Sequence, residues 1–301
     1  MRARVTSHRE TRVSPLGISL LLWIYRVFGQ RCCRWCISLV VACAWPFLGK
    51  VRTVSALFIR KWRAYTGQQR GISSYEHLRT FAYTLADRLA CRAGLFDMNR
   101  VRICTPDAYE SLCRLYYTGQ GVFCITSHLG CFDMLRVLFD CTREGMNGEM
   151  HVFMDTAATQ AFAQQQRRYG KAMLDTYVHP VQELGPVLSM QMMEKLEQGA
   201  MLIMAGDRVW RDEESANYRL PFLGEDACFP KGCFRWAAAL GCPVYTFCLV
   251  ENGGGYDLHV ECLSPTGEMK ATSLVSHFAA HLEQLCCRYP ANWFNFYNFW
   301  K

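Results

Sequence analysis

The chain has 301 residues, 51% of them apolar, and a net charge of +7, which is enough apolar material for one large domain with a sizeable core. The charge is uneven: residues 1–70 carry thirteen Lys and Arg against one acid, Glu10, whereas the remainder carries twenty bases against twenty-five acids. A basic, apolar amino-terminal quarter on an acidic body points to membrane attachment. It excludes a nucleic-acid groove, whose basic residues would have to surround the body.

Residues 1–15 read as a disordered basic leader, without the apolar core and small-residue cleavage site of a signal peptide. Two apolar runs follow, Leu16–Phe28 and Cys36–Leu48, separated by Gln30-Arg31 and Arg34. Each is short of the roughly twenty residues a membrane-crossing helix needs. Residues 16–70 are therefore expected to form a membrane-associated helical segment. It is read as an interfacial or re-entrant hairpin with Arg side chains reaching to headgroups and Trp23, Trp35 and Trp45 at the boundary. A pair of core helices is the plainer alternative, and a full span is left open.

From Ser74 the pattern changes to that of a soluble α/β domain, assigned to 71–301. Ser74–Arg92 is predicted helical, with Leu78, Phe81, Leu85 and Leu89 at helical spacing. Val101–Cys104 is a predicted strand, Asp107–Tyr117 a helix, and Gly121–Thr126 a strand. Met150–Met154 is a strand, Ala157–Tyr169 a Gln-rich helix, and Met173–Val178 another strand. Leu188–Glu197 is a helix and Met201–Met204 a strand. Lys231–Leu240 is a short helix, Val244–Val250 and Tyr256–Cys262 a hairpin across Gly253-Gly254-Gly255, and Leu274–Arg288 a final helix. This alternation predicts an α/β fold with a mixed, largely parallel sheet flanked by helices, preceded by the membrane-associated segment. The aromatic stretch Trp293–Trp300 suits either lipid contact or capping of the core.

Seventeen cysteines, an odd number scattered through apolar stretches, suit reduced buried thiols rather than a disulfide framework. Cys32-Cys33 and Cys36 have no second half at zinc-ligand spacing, so no metal is expected.

The segment Val122–Asp133 carries the chemistry. An apolar run stops at Thr126-Ser127, then come His128 and, five positions later, Asp133. An imidazole can take the proton of an attacking hydroxyl while a carboxylate orients the ring and steadies the imidazolium. Five residues along an ideal helix turn about 140°, so the two can meet only if His128 precedes the first turn of a helix holding Asp133. Backbone N–H groups at Leu129 and Gly130 would then be candidates for stabilising an oxyanion, and Gly130 would allow close approach of substrate. Cys131 is a conceivable acyl-accepting nucleophile, but direct transfer aided by the neighbouring His128 is simpler.

Ser127-His128-Leu-Gly-Cys-Phe-Asp133 resembles the His-x-x-x-x-(Asp/Glu) block of the lysophospholipid acyltransferase superfamily, in particular its lipid A late-acyltransferase branch. Ile203-Met-Ala-Gly-Asp207-Arg208, Leu220-Pro-Phe-Leu-Gly224, Phe229-Pro-Lys-Gly232 and Gly241-Cys-Pro-Val-Tyr245 follow in that family's order. Thr80–Arg88 and Trp293–Trp300 resemble a predicted-acyltransferase subgroup. The resemblance runs from about Leu16 onward. It implies transfer of a fatty acyl group from an acyl carrier protein or coenzyme A thioester to the hydroxyl of a lipid-like acceptor, at the cytoplasmic face of a bacterial inner membrane, with no bound cofactor. Asp207 matches the branch, whereas Arg208 departs from it and agrees with the subgroup. Asp207, Arg208, Lys231 and Arg168 are the residues expected to contact donor or acceptor. For Arg168 the branch's functional Arg aligns without gaps on Gln166 instead. A thioesterase or lipid hydrolase using water, and a non-catalytic membrane adaptor, are the competing readings.

Overall fold

The computed structural model describes residues 15–68, 71–131, 134, 149–155, 176–209 and 214–300. The expected leader (apart from Pro15), Asp133 and the expected helix Ala157–Tyr169, with Arg168, lie outside the described residues. Helices α1 (Pro15–Ala44), α2 (Gly49–Thr66) and α3 (Ser74–Arg92) come first, then β1 (Val101–Ile103), α4 (Pro106–Tyr117) and β2 (Val122–Thr126). Strands β3 (Met150–Met154) and β4 (Thr176–Pro180), helix α5 (Pro186–Glu197) and strand β5 (Met201–Ala205) follow. The remainder comprises β6 (Asn217–Phe222), β7 (Glu225–Pro230), α6 (Lys231–Leu240), β8 (Val244–Asn252), β9 (Gly255–Ser264) and α7 (Ala271–Arg288).

Seven strands form one sheet in the order β1-β9-β8-β2-β5-β3-β4. Strands β8, β2, β5, β3 and β4 run parallel, while β9 turns back antiparallel on β8 and β1 follows β9. The sheet is thus mixed and largely parallel, as expected. Burial on both faces explains why β2 reads as an uninterrupted apolar run, Val-Phe-Cys-Ile, without alternation.

Local chemistry sets the element ends. The Ser73 hydroxyl accepts the Glu76 N–H at 3.1 Å and the Glu76 carboxylate accepts the Ser73 N–H at 2.8 Å, a reciprocal cap that starts α3. The β6–β7 hairpin, a separate two-stranded sheet, was not anticipated from sequence. It turns at Leu223 and Gly224, with φ of 53° and 77°, the pair of left-handed residues that a two-residue hairpin turn requires. Leu223 is a poor residue for that turn, which hid the signal.

One face of the sheet, with Phe123, Ile125 and Leu202, packs against Phe58 and Trp62 of α2, Phe234 of α6 and Phe278 of α7. The other, with Cys124, Ile203 and Phe247, packs against Tyr25, Cys33 and Ile37 of α1, Ala90 of α3 and Leu112 of α4. The segment 16–66 therefore contributes a helix to each side of the core. Residues Leu16–Phe47 form a helix long and apolar enough to cross a membrane, with mean hydropathy 1.3. It is broken at Gly29, whose φ of 77° and ψ of 177° are not helical. Its outer side leaves Leu16, Leu20, Trp23, Val27, Trp35 and Val40 exposed.

Arg34 departs from the expected reach toward headgroups. Its guanidinium turns inward, 2.5 Å from both the Asp87 and Glu251 carboxylates. Asp87 is fully buried and also accepts from Tyr25, Gln30 and Tyr256. A buried carboxylate needs that much compensation, which is why Arg34 belongs to the protein rather than to solvent. Trp293, Phe294 and Phe299 are buried with Phe58, Phe222 and Phe229 around them, so the aromatic stretch caps the core.

Candidate functional site

Register alone brings two candidate side chains together. Strands β2 and β5 are parallel neighbours, and their ends pair as Thr126 with Ala205. Two residues further on stand His128 and Asp207, both at the carboxyl edge of the sheet, where open α/β sheets place their ligands. His128 Nδ1 lies 2.8 Å from Asp207 Oδ1. Asp207 Oδ2 accepts the His128 backbone N–H at 2.6 Å and the Asn295 side-chain amide at 3.0 Å. The Asp207 carbonyl accepts the Tyr297 hydroxyl at 2.9 Å.

Asp207 is fully buried, and burial by itself pushes its carboxyl up. The charge and hydrogen bonds of His128, with the Arg208 guanidinium, outweigh this and hold it below the ordinary carboxylate range. An ionised Asp207 accepts hydrogen bonds only, so a neutral His128 carries its proton on Nδ1 and leaves Nε2 as the bare base. The side chain of His128 is 24% exposed, and no hydrogen bond engages its Nε2 among the described residues. A base oriented from behind and open in front can take a proton from a hydroxyl or a water held in front of it.

The structure redistributes the expected roles. Asp133, the expected orienting carboxylate, lies outside the described residues, and the carboxylate on His128 Nδ1 is Asp207. Asp207 is therefore turned to the imidazole rather than toward a substrate. No helix begins at His128. The chain instead stays non-helical through Cys131, with Leu129 bridged to Trp293. Gly130 has φ +77°, and a Cβ there would lie 2.0 Å from the Leu249 carbonyl oxygen. It is glycine because β8 approaches closely, not to make room for a substrate. Its N–H donates to the Asn292 carbonyl at 2.8 Å, and the Leu129 N–H faces Ser127 Oγ at 3.3 Å. Both expected oxyanion donors are thus already engaged. Cys131 is buried, with its N–H on the Leu249 carbonyl.

Arg208 is half-buried, its guanidinium carbon 6.0 Å from the Tyr297 ring centre, next in sequence to Asp207. Lys231 opens α6 and donates to the Ser215 carbonyl at 2.8 Å. It ties down the turn before β6 and stacks over Tyr218. Arg168 lies outside the described residues. Asn295 and Tyr297 were missed from sequence; the only hint was polar side chains set among aromatics in the stretch 293–300.

Among the described residues, Cys104, Asp257 and His259 are the group compact enough to hold a metal ion. Their carboxylate is already committed, however. Arg102 binds both Asp257 oxygens at 2.9 and 2.7 Å, and Tyr289 and Asn252 donate to Oδ2. Its charge is balanced by a guanidinium, so the cluster offers a cation little. In comparisons with known proteins, no protein-family model matches the chain, and no curated protein is significantly similar to it.

Proposed function

We propose that the protein is a membrane-associated acyltransferase. It moves a fatty acyl group from the thioester of an acyl carrier protein or coenzyme A to the hydroxyl of a lipid-like acceptor. The observation that carries this reading is the His128–Asp207 pair at the sheet edge, with Nδ1 engaged and Nε2 unengaged. The order of motifs from Ser127 to Tyr245, with its resemblance to the lysophospholipid acyltransferase superfamily, supplies the choice of acyl transfer among reactions that use such a base.

In this mechanism Nε2 accepts the proton of the acceptor hydroxyl as its oxygen attacks the thioester carbonyl. The tetrahedral intermediate collapses with cleavage of the C–S bond. The departing thiolate takes the proton back from the imidazolium, giving ester and free thiol with the base regenerated. Asp207 keeps Nε2 bare before the attack and steadies the imidazolium after it. Arg208, beside this pair, is a cation for an acidic group on donor or acceptor.

Attachment to the membrane is through the outer face of α1. Its pieces 15–28 and 30–44 are each about 21–23 Å long at ~1.5 Å per residue, shorter than a hydrocarbon core of about 30 Å. Their inner side is occupied by α3 and by the Arg34–Asp87 pair. An in-plane anchor that keeps its apolar side in one leaflet fits this packing. The basic leader supports attachment at the cytoplasmic face, and the family resemblance supports a bacterial inner membrane.

The test is transfer of a radiolabelled acyl chain from acyl-carrier-protein and coenzyme A thioesters to membrane lipids. The wild-type protein should label a lipid, and folded His128→Ala should not. Equal labelling by His128→Ala would remove the imidazole from the reaction. Release of free fatty acid without an acylated lipid would replace transfer by hydrolysis.

A further inference from the structure

Asp207 is gripped by more than the imidazole it serves. A carboxylate facing a histidine can turn about its Cβ–Cγ bond, taking its lone pairs out of line with the ring N–H. Here Oδ2 is held from two directions, by the His128 backbone N–H at 2.6 Å and by Asn295 Nδ2 at 3.0 Å. Oδ1 is left to Nδ1 at 2.8 Å. Rotation would break both Oδ2 bonds.

Asn295 is itself buried, and its Oδ1 has no hydrogen-bond partner among the described residues. An unsatisfied buried carbonyl is costly. An amide serving only the packing of an aromatic segment would be replaced by an apolar side chain without loss, so what Asn295 contributes is its donor. The segment that carries it is fixed on both sides of the pair. The Phe294 N–H donates to the His128 carbonyl and the Gly130 N–H to the Asn292 carbonyl, both at 2.8 Å. The Tyr297 hydroxyl donates to the Asp207 carbonyl. Further back, His77 Nε2 lies 2.6 Å from the Trp293 carbonyl. A carbonyl only accepts, so His77 carries its proton there, and Ser55 donates to Nδ1 at 2.9 Å.

We infer that Asn295 is a positioning residue for the His128 base, acting through Asp207: its amide holds the carboxylate in the position where it accepts from Nδ1, and so keeps the tautomer that exposes Nε2. The role of that base in acyl transfer rests on the function proposed above, but the tautomer does not.

The experiment is ¹⁵N NMR of the imidazoles in the full chain, in detergent micelles, in mildly alkaline buffer. Its signals are assigned by their loss in His128→Gln. Wild type should show one tautomer, with Nδ1 protonated. Asn295→Leu removes the donor at nearly constant volume, and the Nδ1-protonated share should fall to about half or less. Should Asn295→Leu fail to fold, Asn295→Ser, too short to reach Oδ2, takes its place in the tautomer measurement. An unchanged tautomer in a folded donor-less variant overturns the inference. A changed tautomer in a protein that transfers no acyl group leaves the inference standing and overturns the proposed activity instead.

Discussion

Trp293 and Leu129 pair as an antiparallel bridge, so the loop that carries His128 and the stretch that carries Asn295 are joined backbone to backbone. The imidazole is therefore held beside an isolated bridge between the loop after β2 and the stretch after α7, far apart in sequence, rather than at the start of a helix.

Because Asp207 rather than a neighbour in the same motif meets Nδ1, its loss is the test of the pairing. Asp207→Ala is expected to lower kcat by about 10²–10⁴-fold with a smaller effect on KM. Side-by-side acyl-transfer kinetics of Asp133→Ala should show a lesser loss. A larger loss in Asp133→Ala would give the orienting role to Asp133.

Gly130→Ala should destabilise the fold by about 2–3 kcal/mol or more, because the new methyl group meets the Leu249 carbonyl and the backbone sits at positive φ. Thermal or denaturant unfolding measures this directly, and a melting temperature equal to wild type would contradict the close approach of β8.

Acid should loosen the same region. Burial pushes His77 down to about 4, only partly opposed by its bond to the Trp293 carbonyl. The unfolded chain thus takes up a proton near pH 6.5 that the folded chain refuses until about pH 4. The stabilisation is complete above about pH 6.5, falls as the pH drops through that window, and amounts to about 3 kcal/mol once lost. Denaturant titrations at pH 7.5 and 4.5 should show the decline, and His77→Gln should flatten its share.

Removing Arg34 leaves the Asp87 carboxylate buried without its cation. Arg34→Ala is expected to cost about 3–5 kcal/mol; Arg34→Lys should cost less because an ammonium still balances Asp87, but not nothing, because it cannot grip Asp87 and Glu251 together with the same geometry. Equilibrium unfolding of both variants in one detergent checks the order.

The outer side of α1 gives a prediction that leaves the core alone. Leu20 and Trp35 are exposed, so Leu20→Glu with Trp35→Glu should leave the melting temperature within a degree or two while weakening co-sedimentation with anionic vesicles severalfold. Undiminished sedimentation would argue against that face as the anchor.

Much of the architecture was legible because the sheet interior writes itself as short apolar runs. β2, β3 and β5, and helices α3 and α6, fall within a residue of their expected limits. The β6–β7 hairpin escaped because Leu223 occupies a position that turn chemistry gives to Gly or Asn. Both His128 and Asp207 were marked as following strands, yet their partnership was not read. It depends on β2 and β5 being neighbours in the sheet, a long-range fact with no local signature, whereas the spacing between His128 and Asp133 is visible along the chain. Asn295 was hidden for the same reason: its value lies in what it touches across the fold.

Burial pushes Cys33 and Cys242 up to about 11 and Cys248 up to about 12, so at neutral pH they scarcely form the reactive anion. Among the described residues Cys43, on the outward side of α1, is the exposed thiol. The native protein thereby offers a ready attachment point for an environment-sensitive dye, placed where its emission would report whether that helix has left water for lipid.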